Sequence, residues 1–171
     1  ILLTASFFSA FATVGKITII GKQVYDMTGS ELDLGLLGLA EFIPVAILSP
    51  FTGPLADRKD RRKVFGCALL CEAIVSFLIF IYIATEPTSI YPIFGLMMLF
   101  GVARAFATPA SRALPIDWAS EEVVERVVAL KSVAFQAGII AGPAAFGFIF
   151  VAGRSIPYLA AVSAYIIAAL L

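Results

Sequence analysis

Long apolar stretches alternate with short polar breaks along the whole chain. The breaks lie at residues 26–31, 57–63, 86–89, 112–122 and 153–154. The six apolar segments between them predict helices at about 1–24, 32–56, 63–84, 90–112, 123–152 and 155–171. A bilayer core about 30 Å thick is crossed by about 20 apolar residues in an α-helix. The pattern therefore predicts six transmembrane helices, and it lacks the polarity alternation that is typical of an outer-membrane barrel.

The composition supports a membrane environment. Hydrophobic residues make up 61% of the 171 residues and charged residues 14%, and the mean hydropathy is +1.01. A soluble domain has about 25% charged residues, so an ordinary water-soluble protein is excluded. The 12 basic and 12 acidic residues balance, which removes the net positive charge that favours nucleic-acid binding. We predict an all-α integral membrane protein that is surrounded by lipid and has no nucleic-acid partner.

The sequence offers little for catalysis or metal binding. It contains no His, and its two cysteines, Cys67 and Cys71, lie four residues apart in an apolar segment. We interpret them as small hydrophobic residues on one helix face. There is no Gly-rich phosphate-binding loop, and no nucleophile stands beside a base. The sequence therefore predicts neither an enzyme nor a bound metal or cofactor.

Basic residues are concentrated in two of the breaks. Residues 58–63 contain five of them, and Arg112 and Arg126 lie at the fourth connection. Cytoplasmic loops of membrane proteins retain Lys and Arg. We therefore expect the second and fourth loops to be cytoplasmic and the first, third and fifth loops to face outward.

Ionisable residues occur inside four of the apolar segments. They are Lys16, Glu41, Glu72 and Arg104, and Lys131 lies nearer the inner end of the fifth segment. A charge at mid-bilayer costs about 2.5–3.5 kcal/mol on insertion scales, so such residues face a cavity or one another. We consider them candidates for transport and proton coupling. The alternative is that they form structural ion pairs or extend to the headgroups.

The loop at residues 53–63 carries the most specific pattern. Gly53, Leu55 to Arg58, Arg61 and Arg62 follow the order Gly-x-Leu-Ala-Asp-Arg-x-Gly-Arg-Arg/Lys, with Asp60 in place of the second Gly. This loop resembles the signature of the major facilitator superfamily. The Asp60 substitution is similar to the efflux branch that contains macrolide exporters and enterobactin-type siderophore exporters. Residues 25–30, 104–110 and 121–122 resemble the same branch.

The fifth segment contains a glycine and proline pattern. Gly138, Gly142, Pro143 and Gly147 resemble the antiporter motif Gly-x-x-x-Gly-Pro-x-x-Gly-Gly, which Phe146 interrupts. Small residues four apart allow two helix backbones to approach closely, and a proline bends a helix. The pattern favours a bent helix that rocks during transport, and static close packing is the alternative.

The resemblance implies a fold. Residues 1–171 would form the amino-terminal six-helix half of a twelve-helix transporter, built from two inverted three-helix repeats. We expect the sequence to be truncated at both ends, because it begins and ends inside apolar runs. The substrate would bind near mid-membrane between this half and a missing carboxy-terminal half.

The same resemblance implies a cytoplasmic gate. Asp57 would meet the positive end of a helix in the other half, and Arg61 would pair with an acidic residue near the inner end of helix four, for which Asp117 is the best candidate. In the family such contacts hold the cytoplasmic side closed. Arg58 and Arg62 belong to the same motif, but for them and for Lys59 and Lys63 we favour topology and attraction to lipid headgroups as the explanation.

One departure bears on proton coupling. Related exporters often carry an Asp after the Gly of helix one, where this chain has Gly15 followed by Lys16. Glu41 or Glu72 would then carry the proton, with Arg104 acting on its charge state.

The sequence thus predicts a proton-coupled exporter of small amphipathic molecules in a bacterial inner membrane, working by alternating access. Two alternatives stay open: a transporter of lysophospholipids or other lipids, and a membrane sensor or scaffold that moves no solute.

Overall fold

A computed structural model of the chain describes the backbone of residues 1–58, 60–118 and 123–171 and the side chains outside 55–59 and 115–122. Within these residues the chain forms six α-helices and no strand. The helices are α1 (Leu2–Thr28), α2 (Glu31–Arg58), α3 (Arg61–Ala84), α4 (Tyr91–Trp118), α5 (Val124–Ala152) and α6 (Ile156–Leu170).

Several helices extend beyond the apolar segments that predicted them. The α1 helix runs to Thr28 instead of residue 24, and α4 runs to Trp118 instead of residue 112. Hydropathy detects only the part of a helix that suits lipid, and in both helices the helical backbone continues into the polar residues that follow. The α1 helix ends where Gly29 adopts a left-handed conformation with φ of 64°, which glycine adopts without steric cost.

The second loop is shorter than predicted because the helices on both sides extend into it. The α2 helix continues to Arg58, and α3 begins at Arg61 instead of residue 63. The Asp60 side chain caps α3 by accepting hydrogen bonds from the backbone N–H groups of Arg62 and Lys63 at 3.1 and 3.3 Å. Asp60 therefore has a local structural role: it satisfies backbone donors at the start of this helix.

Five of the described helices, α1 to α5, are long and apolar enough to cross a membrane. The α6 helix is equally apolar in character but has 15 residues. The α1 helix packs mainly against α5 and α6, while α4 packs mainly against α2 and α3. The α3 and α6 helices also contact each other extensively.

Most of α2 presents apolar side chains outward. Phe42, Ile47 and Phe51 are each more than half exposed. The same holds on α5 for Ile140, Phe148 and Val151. By contrast, α1 contributes many residues to the core, among them Ile20 and Val24. The helix bundle therefore buries α1 and leaves long apolar surfaces on α2 and α5.

Candidate functional site

Lys16 lies at the centre of the bundle. Its side chain is fully buried, and its ammonium nitrogen lies 3.0 Å from the ring centroid of Phe100 and 5.4 Å from that of Tyr165. Within the described residues the nitrogen has no hydrogen-bond partner. Aromatic ring faces carry partial negative charge and attract a cation that has lost its water. The two rings thus replace part of the hydration of this charge.

Glu72 on α3 is the second buried charge. It is 2% exposed, and its Oε2 atom has no hydrogen-bond partner among the described residues. Its charge interacts with that of Lys16, without a direct hydrogen bond between Oε2 and the ammonium group. Beside them, the hydroxyl groups of Thr13 and Tyr165 share a hydrogen bond of 2.9 Å. A buried polar atom without a partner is rare in folded proteins, so this pair is a notable feature of the core.

Glu41 and Arg104 form a direct ion pair between α2 and α4. The Arg104 Nη1 atom donates to Glu41 Oε1 at 2.9 Å, and the two side chains are 34% and 16% exposed, respectively. Gly101 makes this geometry possible, because a Cβ atom there would collide with the backbone carbonyl oxygen of Glu41. The α2 and α4 backbones therefore approach each other one turn from the ion pair.

The four embedded residues form one electrostatic group. The charges of Glu72, Glu41 and Arg104 all act on the Lys16 ammonium group. The group contains two positive and two negative side chains, so its formal charge is zero when all are ionised. The sequence had placed these residues on four different helices, and the structure brings them together within the bundle.

A cavity of about 590 Å³ opens beside this group, between α1, α3, α4 and α5. Glu72 and Arg104 lie on its wall, whereas Lys16 and Glu41 are not among its lining residues. Hydroxyl and amide side chains form much of the remaining polar surface, and apolar side chains form the rest. The lining residues with these properties are Ser9, Thr13, Thr108, Ser111, Ser132 and Gln136, and Val14, Phe65, Phe135 and Ile139. The cavity is therefore amphipathic.

Lys131 and Arg112 extend the polar wall of the same cavity. The Lys131 ammonium group donates to the carbonyl oxygen of Ser111 and, at 3.1 Å, to the Ser111 hydroxyl. Lys131 is half-buried and Arg112 is exposed. In the part of the chain that the structure describes, neither forms an ion pair with a carboxylate. This end of the cavity is therefore positively charged.

The glycine motif of α5 makes close contact with α1. Cβ atoms at Gly138 and Gly142 would lie 2.5 Å from the carbonyl oxygen of Phe7 and 2.7 Å from that of Phe11. Gly147 differs, because a Cβ atom there would meet nothing within 4 Å. Two of the three predicted small-residue contacts thus exist, and Gly147 faces away from the contact.

Phe146, which interrupts the antiporter-like motif, fills the same helix contact. It is fully buried, and its ring lies so close to Gly15 that a Cβ atom there would be 2.5 Å from the ring. Its ring centroid is 5.3 Å from that of Phe11 in an edge-to-face arrangement. Pro143 lies inside α5 between the two glycine contacts and this ring. The substitution therefore exchanges backbone contact for aromatic packing at this position.

The predicted gate can be described only in part. Asp57, Arg58 and Asp117 lie outside the described side chains, so their pairing stays a prediction. Gly53 lies in α2 with open space around its Cα atom. Arg61 is half-buried and interacts with other groups, and Arg62 is exposed at the start of α3.

A polar network at the other end of the bundle was missed by the sequence analysis. The Tyr158 hydroxyl donates to Gln23 Oε1 at 2.6 Å, and Gln23 Nε2 donates to the carbonyl oxygen of Arg154. Phe100 and Tyr165, which surround Lys16, were missed as well. Phe100, Tyr158 and Tyr165 lie among apolar residues and Gln23 lies beside Lys22 at the end of α1, so their spacing does not distinguish them from packing or surface residues. The useful signal is that a buried Tyr or Gln needs a hydrogen-bond partner.

Comparison with known proteins shows what the chain is similar to. The sequence profile of the Major Facilitator Superfamily matches residues 2–171. Multidrug resistance protein 2 of Bacillus subtilis (strain 168) is 33% identical over 172 residues, which cover 99% of this chain and 41% of that protein. Multidrug resistance protein 1 of the same strain is 27% identical over 171 residues, with 99% and 43% covered.

A shorter match is found with Macrolide efflux protein A of Streptococcus pyogenes. It is 31% identical over 90 residues, which cover 52% of this chain and 22% of that protein. The chain thus spans less than half the length of these relatives.

Proposed function

Because this chain belongs to the Major Facilitator Superfamily, whose members are transporters and not enzymes, we propose that it forms part of an exporter of small amphipathic molecules. The amphipathic cavity of about 590 Å³ with Glu72 and Arg104 on its wall carries this proposal. Ligand cavities combine mostly apolar walls with a few placed polar groups. Two of the relatives are named for multidrug resistance and one for macrolide efflux, which supports export as the direction.

The proposed architecture is the amino-terminal half of such a transporter, made of two inverted three-helix repeats. In such a repeat α1, α2 and α3 correspond to α4, α5 and α6, in that order. The α1–α5 contact then corresponds to the α4–α2 contact, and the α3–α4 contact corresponds to the α6–α1 contact. The contact between α3 and α6 corresponds to itself. A repeated unit would produce this pattern. The exposed apolar sides of α2 and α5 would then pack against a carboxy-terminal half.

We place the chain in a bacterial inner membrane with the second and fourth loops in the cytoplasm. The basic residues of these loops support this orientation. Lys131 and Arg112 follow the same rule, because they lie toward the fourth connection. The cavity would then open toward the cytoplasm, where an exporter takes up its substrate.

The proton-coupling site we propose is Glu72 with Lys16. When both side chains are ionised their charges cancel. Uptake of one proton by the Glu72 carboxylate leaves the pair with one positive charge on Lys16, and release of that proton restores the balanced pair. Glu72 reaches the cavity wall, whereas Lys16 is sealed behind Phe100 and Tyr165. A proton from the cavity would therefore reach Glu72 first.

Glu41 and Arg104 have a different proposed role in alternating access. Their ion pair joins α2 to α4, and Arg104 also lies on the cavity wall. A substrate that contacts Arg104 would compete with Glu41 for its guanidinium group. Substrate binding would thereby weaken one contact between α2 and α4.

The experiment is efflux from proteoliposomes that contain the full-length protein and an imposed pH gradient. Drug-like amphiphiles and lysophospholipids are tested as substrates, so that the class that is transported identifies the substrate. A membrane sensor or scaffold would transport none of them. We expect Glu72→Gln to abolish gradient-driven efflux and to retain substrate exchange without a gradient. Glu31→Gln, at the exposed start of α2, is the control for loss of one carboxylate.

Gradient-driven efflux that survives Glu72→Gln would exclude Glu72 as the proton carrier. Glu41→Gln and Arg104→Gln separate the two roles, because we expect both to reduce substrate exchange itself. If both variants exchange substrate at the normal rate, the ion pair has no part in alternating access.

A further inference from the structure

Two cations lie at one end of the cavity, outside the charge-balanced group of Lys16, Glu41, Glu72 and Arg104. Lys16 and Arg104 are balanced by Glu41 and Glu72, as described above. Lys131 and Arg112 remain, and their positive charges act on each other. Among the described residues no carboxylate forms an ion pair with either of them. Like charges in a partly buried site repel each other, and a bound anion would offset this repulsion.

Ser111 fixes Lys131 in this position. The ammonium group donates to the Ser111 carbonyl oxygen and to the Ser111 hydroxyl. An ammonium group has three N–H donors, so one stays available for a ligand. Arg112 follows Ser111 in the chain and adds a guanidinium group on the same cavity wall. The structure thus presents two positively charged donors side by side.

Apolar side chains also line the cavity. Val14 of α1 and Ile139 and Phe135 of α5 line the same cavity. A ligand that satisfies the whole surface therefore has an acidic group at one end and an apolar body at the other. Charge-assisted hydrogen bonds from Lys and Arg to carboxylate or phosphate are the strongest polar contacts available here.

We propose that the cavity binds an anionic amphiphile, whose acidic group contacts Lys131 and Arg112 and whose apolar body lies along Val14 and Ile139. That this molecule is also the exported substrate rests on the proposed function, whereas its binding to the cavity does not. The same chemistry fits a transported organic acid and the headgroup of an anionic lipid, and the experiment separates the two sources.

Binding is measured with full-length protein in nanodiscs of phosphatidylcholine. Three probes share one naphthylbutyl body and end in a carboxylate, a primary amide or a trimethylammonium group. We expect the carboxylate to bind with a Kd at least about tenfold lower than that of the other two probes. Equal or tighter binding of the amide or ammonium probe would overturn the proposal.

Variants assign the preference to the two cations. Lys131→Gln and Arg112→Gln should each raise the carboxylate Kd about tenfold to a hundredfold and leave the amide Kd unchanged. Lys131→Arg keeps the charge and should retain the preference for the carboxylate. Lys22→Gln removes a cation that pairs with Asp26 on an exposed part of α1, so it is the matched control. Folded Lys131→Gln and Arg112→Gln variants with an unchanged carboxylate Kd would refute the assignment.

Two further measurements distinguish the source of the anion. Movement of the carboxylate probe into or out of proteoliposomes would identify a transported acid. A lipid headgroup would be identified if dihexanoyl phosphatidylglycerol displaces the probe, dihexanoyl phosphatidylcholine does not, and the probe is not transported. Either of these two results supports an anion site. Transport of all three probes without a charge preference would overturn the anion site and leave the proposed exporter intact. A carboxylate preference without transport of any substrate would contradict only the exporter.

Discussion

Substitution of Gly142 tests the contact between α1 and α5 directly. In the structure, an alanine Cβ atom at this position would lie 2.7 Å from the Phe11 carbonyl oxygen and 3.1 Å from the Gly15 backbone nitrogen. Both atoms belong to a helix backbone, so they cannot move aside as a flexible side chain can. The Gly142→Ala variant therefore separates α1 from α5 or strains one of them.

Gly147 supplies a matched control on the same helix. An alanine Cβ atom there would meet nothing within 4 Å. Alanine is favoured over glycine inside a helix by about 1 kcal/mol, and this gain is common to both variants. The difference between them therefore isolates the packing strain, which is about 1–3 kcal/mol for overpacking a close contact.

The assay is the loss of the monodisperse peak in size-exclusion chromatography after heating the full-length protein in detergent. We expect Gly147→Ala to melt at or above the midpoint of the unsubstituted protein and Gly142→Ala to melt below it. Equal midpoints for the two variants would show that the α1 and α5 backbones are not in contact at Gly142, and the packing described above would be wrong.

Three further predictions concern the buried polar groups and the outer surface of α3. Lys16→Met or Glu72→Leu alone should lower the free energy of unfolding by about 3–5 kcal/mol, since each leaves one buried charge without its partner. The double variant should unfold at a higher temperature than either single variant. Additive losses of stability in this double-mutant cycle would contradict the coupling between the two charges. Tyr158→Phe should cost about 1 kcal/mol, because it removes the hydrogen bond to Gln23, and an unchanged midpoint would show that this bond contributes nothing. Cys67, exposed on α3, should react in proteoliposomes with a lipid-soluble maleimide and not with a charged, water-soluble one, and equal reaction with both would place this surface in water.

The number and order of the helices could be predicted from the sequence because lipid selects for long apolar segments. The ends of α1 and α4 could not, since polar residues such as those before Thr28 continue a helix as readily as they begin a loop. Hydropathy marks the boundary between lipid and water, whereas a helix ends where its hydrogen bonds are capped. Gly29 and Asp60 provide such caps, and only the structure shows their geometry.

The charged residues of the candidate site could be predicted from the sequence, because a charge inside an apolar helix needs a partner. That argument selected Lys16, Glu41, Glu72 and Arg104, and the structure brings these four side chains together. Their exact pairing was beyond the sequence, because it depends on how α1 to α4 are rotated about their axes. Phe100, whose ring lies against the Lys16 ammonium group, is one apolar residue among many in its segment.

The burial of Lys16 has a consequence for the biogenesis of the protein. Lys16 is on α1, while Glu72 and Phe100 belong to α3 and α4, which follow it in the chain. During synthesis α1 therefore carries a cation toward the bilayer before the groups that neutralise or surround it have been made. A chain truncated after α2 keeps Lys16 without Glu72 and Phe100, so we expect α1 to be more accessible to proteases in it than in the longer chain.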